Sequence, residues 1–114
     1  MPQIIEIGRE IYRINPSKNS IEFSKDGGRN WTSKCTSSAY GTFKDLCLFG
    51  TEIYAVTTRG IYFSKDGGRN WTSKCTSSAY GEFQLLMVHG SELYAQTSKG
   101  LYASKDGGRN FFRK

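Results

Sequence analysis

Three aspartates, Asp26, Asp66 and Asp106, recur at forty-residue spacing, each inside Ser-Lys-Asp-Gly-Gly-Arg-Asn followed by an aromatic residue. Carboxylates serve as general acids and bases, and pairs of them at set distances cleave glycosidic bonds. Metal chemistry needs a ligand cluster, and thiol chemistry needs a cysteine beside a group that lowers its pKa. His89 is the only histidine, so neither a zinc site nor a histidine-based triad can be built on it alone within one chain. The three cysteines are an odd number without CxxC spacing. Cys35 and Cys75 are one position in two copies of a repeat, and Cys47 aligns with Ile5 and Met87. A place that accepts Ile, Cys or Met reads as core. No metal site and no cofactor are expected.

The setting of the aspartates favours a structural job. Asp-Gly is a strong turn signal, because tight hairpin turns need positive φ. A short carboxylate there accepts hydrogen bonds from backbone N–H groups that would otherwise go unpaired. The serine hydroxyl can fasten the incoming strand, and the aromatic ring can cover the turn.

The elements that carry these turns repeat with them. Residues 23–41, FSKDGGRNWTSKCTSSAYG, recur unchanged at 63–81, and the flanks GREIYRI, GTEIYAV and GSELYAQ follow at Gly8, Gly50 and Gly90. Such identity marks recent duplication or deliberate engineering. In the second unit the strand-like runs are FKDLCLF, EIYAVTT, GIYFSK and NWTSKCT, broken at GT, RG, DGG and SSAYG. No window has a sustained helical period. Four antiparallel strands in about forty residues make one β-propeller blade. The chain is therefore read as one all-β domain, 1–114, with blades at 2–41, 42–81 and 82–114. An apolar fraction of 37% and an aromatic fraction of 14% suit a folded chain.

The pattern S-x-D-x-G-x-x-W resembles the Asp-box, or BNR repeat, of sialidase, sortilin and photosystem II assembly factor propellers. It falls on Ser24, Asp26, Gly28 and Trp31, then Ser64, Asp66, Gly68 and Trp71, then Ser104, Asp106, Gly108 and Phe111. Asn30, Asn70 and Asn110 stand where the family usually has threonine. The resemblance places the motif at the hairpin between third and fourth strands, away from any ligand site. Sialidase catalysis requires an arginine triad, a tyrosine–glutamate pair and an aspartate acid/base. This chain offers only the arginine of YRINP near Tyr12 as an echo, and Glu82 as a carboxylate in an interblade loop. A sialidase-like glycosidase fragment is thus the least favoured reading, and the chain is read as a non-enzyme.

Known propellers close with four to eight blades, so three would leave two open faces, each lined by apolar side chains. Self-association is the simple remedy: two chains would make six blades and three would make nine. A homodimer is expected, with a homotrimer or a fragment of a longer array as alternatives. Linkers and the turns between second and third strands should share one face, bearing Tyr40, Tyr80, Lys18, Arg59 and Lys99. Aromatic and basic groups there suit an anionic or glycan ligand. The expected role is a scaffold or binding module, with a multivalent lectin as the alternative.

The formal net charge is +6, of which the lysine–arginine–aspartate content of the three turns supplies half. It accompanies no nucleic-acid motif, so solubility explains it and nucleic acid is not an expected partner. Without an apolar run of membrane length or a leader pattern, the expectation is a cytoplasmic chain without a membrane partner.

Overall fold

The computed structural model describes residues 4–36, 39–76 and 78–114. Ser37, Ser38 and Ser77 of the two linkers, and Pro2 and Gln3 of the first blade, lie outside them.

Among the described residues, twelve strands form three antiparallel sheets. Sheet 1 holds β1 (Ile5–Ile7), β2 (Glu10–Asn15), β3 (Ser20–Ser24) and β4 (Thr32–Cys35). Sheet 2 holds β5 (Phe43–Phe49), β6 (Glu52–Thr57), β7 (Gly60–Ser64) and β8 (Thr72–Cys75). Sheet 3 holds β9 (Phe83–His89), β10 (Glu92–Thr97), β11 (Gly100–Ser104) and β12 (Phe112–Arg113). A 3₁₀ turn, Ser78–Tyr80, precedes sheet 3. Each strand pairs with its sequence neighbour, so every sheet is a simple meander. The hairpins at Gly8, Gly50 and Gly90 turn through positive φ of 60°, 64° and 63°, which glycine adopts without steric cost.

The sheets pack face to face, and two apolar clusters lie between them. Ile5, Tyr12, Ile14 and Ile21 of sheet 1 meet Phe43, Leu46, Ile53 and Trp71 of sheet 2. Cys47, Tyr54, Val56 and Ile61 of sheet 2 meet Phe83, Leu86, Leu93 and Phe111 of sheet 3. Leu46 and Leu86 are fully buried, which stabilises by about 1.5–3 kcal/mol each. Asp45 adds a polar staple, its carboxylate accepting the Leu86 N–H at 3.0 Å. All three cysteines are buried thiols. Burial, with the nearby Asp45 charge, pushes the Cys47 thiol up to about 11, so it sits in the core as a neutral group.

The middle sheet covers both its faces and the outer sheets cover one each. Ile4, matching Leu46 in the repeat, is 65% exposed, and Met87, matching the buried Cys47, is 44% exposed. The outer face of sheet 1 corrects the expectation of an all-apolar surface. Arg13 and Glu22 stand there where sheet 2 has Ala55 and Tyr62. They form an ion pair at 3.0 Å; Asn15 donates to Glu22 at 3.2 Å, and the Arg13 guanidinium lies 3.9 Å above the Trp31 ring. Burial opposes ionisation of Glu22, yet its bonds from Asn15 and Arg13 hold the carboxyl below the usual range.

Candidate functional site

The three aspartate turns join third to fourth strands and are built alike. Ser64 Oγ donates to Asp66 Oδ1 at 2.7 Å and accepts the Gly68 N–H at 2.9 Å. Asp66 Oδ1 also accepts the N–H groups of Arg69 and Asn70 at 3.2 and 3.0 Å. Its Oδ2 accepts the Asn70 carboxamide at 2.8 Å. Ser24–Asp26–Asn30 and Ser104–Asp106–Asn110 repeat the pattern. These donors stabilise the ionised form, led by the backbone N–H of the asparagine. They hold Asp26 at about 2 and put Asp66 and Asp106 lower still. A general acid must hold a proton near working pH, which these ionised carboxylates do not.

The aromatic residue seals each turn. The indole N–H of Trp71 donates to Gly68 O at 3.0 Å, as Trp31 does to Gly28 O at 3.1 Å. Phe111 has no such donor and packs on Tyr80 and Phe83 instead. The turns also lean on the preceding sheet. Tyr54 donates to Gly107 O at 2.8 Å, and burial raises this phenol to about 12. A Cβ on Gly108 would lie 3.1 Å from Leu93 and 3.6 Å from Lys74, with φ +98° as well, so the close approach and the backbone both call for glycine.

The second group of sequence candidates gathers on the face formed by the linkers and the turns between second and third strands. Tyr40 packs edge-on to Tyr62 at 5.3 Å and tilted against Phe43. Tyr80 makes the matching contacts with Tyr102 and Phe83. Its hydroxyl also accepts the Phe111 N–H at 3.4 Å. Arg59 turns back to donate to Ala39 O at 3.1 Å, and Lys99 reaches Ala79 O at 3.5 Å. Lys18 is exposed on a longer turn. The ladders pair Asn15 with Ser20 and Thr57 with Gly60, so Asn19, not Lys18, holds the place of Arg59. Glu82 pairs with Lys44 at 2.8 Å, and this bond lowers its carboxyl pKa.

A cleft of about 350 Å³ opens on this face between sheets 2 and 3, lined by residues 57–60, Thr76 and residues 81–83. Among the described residues no group of three or more His, Cys, Asp or Glu could hold a metal ion. Among them, too, no helix is long and apolar enough to cross a membrane.

Three meandering four-stranded sheets, packed face to face and joined outer strand to inner strand, define a partial β-propeller. The chain belongs to the DUF6242 beta propeller domain family, whose model matches residues 2–113. Ycf48 from Cyanidioschyzon merolae is similar in structure, with 23% sequence identity and a TM-score of 0.70 over 91% of this chain and 32% of that one. Ycf48 bound to D1 peptide gives 23% identity and a TM-score of 0.69 over 95% of this chain and 36% of that one. BamB from Moraxella catarrhalis shares the fold at 12% identity and a TM-score of 0.53, over 90% of this chain and 42% of that one. The chain spans about a third of the length of the Ycf48 chains it matches. No curated protein matches in sequence.

Sequence reasoning missed three groups. The asparagines of the turns close the carboxylate ring; their place in the motif, where threonine is usual, was the available signal. Arg13 and Glu22 cover the outer face of sheet 1; their departure from Ala55 and Tyr62 in the aligned units was the available signal. Asn19 lies in the NPSKNS turn, whose two extra residues were the available signal.

Proposed function

We propose that this chain is a non-enzymatic binding and scaffolding module, an Asp-box propeller arc that pairs with a second copy to close a six-bladed ring. One contrast carries the reading. Leu46 and Cys47 of the middle sheet are buried, while their counterparts Ile4 and Met87 on the outer sheets are 65% and 44% exposed. Apolar edges of this kind call for a partner. Blade 3 of each copy would meet blade 1 of the other, and one twofold axis relates the two seams. The Arg13–Glu22 pair makes the seam mixed in character, which favours correct register over raw affinity.

Saturation of all three repeated carboxylates by their own turns supports a non-enzyme. The edge-on packing of Tyr40 and Tyr80 favours a binding scaffold over a lectin, because a sugar needs an available ring face. Partner binding is in keeping with Ycf48, known bound to a D1 peptide. Light scattering over a range of concentrations tests the closure. A species of twice the chain mass, reduced to single chains by Met87→Glu, is expected; a stable monomer at all concentrations overturns it.

A further inference from the structure

We infer that the cleft between sheets 2 and 3 binds a primary carboxamide, the side chain of an asparagine or glutamine on a peptide partner. The chain itself contains the model for this ligand. Its two inter-sheet junctions are made of the same parts: a turn between second and third strands, the end of the fourth strand and the start of the next sheet. Between sheets 1 and 2, Asn19 crosses the junction. Its Nδ2 donates to Gly41 O at 3.1 Å and its Oδ1 accepts the Phe43 N–H at 2.8 Å. The four-residue turn of residues 16–19, with Asn19 at φ +49°, delivers the carboxamide there.

Between sheets 2 and 3 the turn is two residues shorter, and Arg59 leaves the junction for Ala39 O. The 350 Å³ cleft lies there, toward the lower end of the roughly 300–1,000 Å³ typical of ligand pockets. Gly81 and Phe83 hold the places of Gly41 and Phe43. The linker sequence is identical through Gly81, and its glycine has φ +89° against +90° at Gly41. The next residue is tied down alike in both junctions: Thr42 bonds Thr58, and Glu82 bonds Ser98. The same carbonyl and N–H therefore stand at the same points of the linker.

A primary carboxamide donates and accepts at once; a carboxylate cannot donate, and an ammonium cannot accept. At the rim, the Lys44–Glu82 pair neutralises itself, and the other charged group lining the cleft, the Arg59 guanidinium, is turned away to Ala39 O, so polarity and not charge selects the ligand. This deepens the binding-module reading and rests on it for the role, but not for the oligomeric state, because the cleft lies within one chain.

The test is an amide-resolved NMR titration of the whole chain with N-acetyl-asparagine N-methylamide, alongside its aspartate and leucine analogues. Saturable shifts at Gly81, Phe83 and Arg59 with the asparagine compound alone are expected. Replacing Thr-Thr-Arg-Gly at 57–60 with the Asn-Pro-Ser-Lys-Asn-Ser turn should abolish them, since the new turn brings its own carboxamide. No saturable shift, or equal shifts with the aspartate analogue, overturns the inference; the comparison of compounds on the unaltered chain decides even if the exchanged turn disturbs folding. A chain that doubles in mass yet ignores the asparagine compound would sink this inference and leave the ring closure standing.

Discussion

Asn70 Nδ2 lies 2.8 Å from Asp66 Oδ2, on the oxygen that the backbone donors leave open. The serine and two backbone N–H groups converge on Oδ1, and the carboxamide completes the ring from the other side. Each turn thus carries a saturated anion held by neutral donors.

Removing the serine should break this ring from beneath. Ser64 is buried, and Ser64→Ala leaves the buried Gly68 N–H without its acceptor. The expected loss is about 1–3 kcal/mol, the cost of an unpaired buried donor. Urea unfolding measures it. Ser24→Ala, at a turn whose Gly28 is only half-buried, should cost less.

Acid should unfold the chain through these same groups. Asp26 titrates at about 2 in the folded state, below the usual aspartate value of about 3.9, and Asp66 and Asp106 shift the same way. A depressed folded pKa gives stability that is complete above the unfolded value and is lost as pH falls through the folded one. The melting temperature should stay level on this account down to about pH 5, then drop steeply toward pH 2. Asp66→Asn should flatten that drop while lowering stability at neutral pH. An unchanged acid limb in the variant would count against the assignment.

Ser20 gives a prediction of opposite sign. Its side-chain oxygen is fully buried and has no hydrogen-bond partner among the described residues. Ser20→Ala removes an uncompensated polar atom and should stabilise by about 1 kcal/mol. Thermal unfolding of the two proteins side by side checks the sign.

Two glycines in matching places should respond differently to alanine. Both have strongly positive φ, +132° at Gly60 and +127° at Gly100. A Cβ on Gly60 would run into the Cys75 carbonyl, whereas on Gly100 its nearest neighbour is the flexible Arg113 guanidinium at 3.6 Å. Gly60→Ala should therefore lower the denaturation midpoint clearly more than Gly100→Ala. Equal losses would mean that backbone strain alone sets the cost.

Much of the fold was legible because the strand signals repeat. The run FKDLCLF is β5 residue for residue, and EIYAVTT and GIYFSK each overrun β6 and β7 by one residue. The NWTSKCT run begins early, because Asn70 and Trp71 still belong to the turn that the aspartate organises. The aspartate's bonds to backbone N–H groups could be read from residue types, since their partners lie within four positions. Asn19 and Arg13 could not. Asn19 meets groups more than twenty positions away, and Arg13 meets a ring brought over it by the sheet. Contacts of that kind exist only once the register and packing are fixed.

The nineteen identical residues at 23–41 and 63–81 fold into two seats that differ in their surroundings, with Trp71 buried beside Phe43 and Trp31 half-covered by Arg13. Either hairpin carries the right letters for either seat. Only the flanking strands tell the chain which copy goes where, so assembly accuracy rests on its least repetitive residues. Exchange of one hairpin for its twin, within a chain or between neighbours, is the error such a molecule must outrun while it folds.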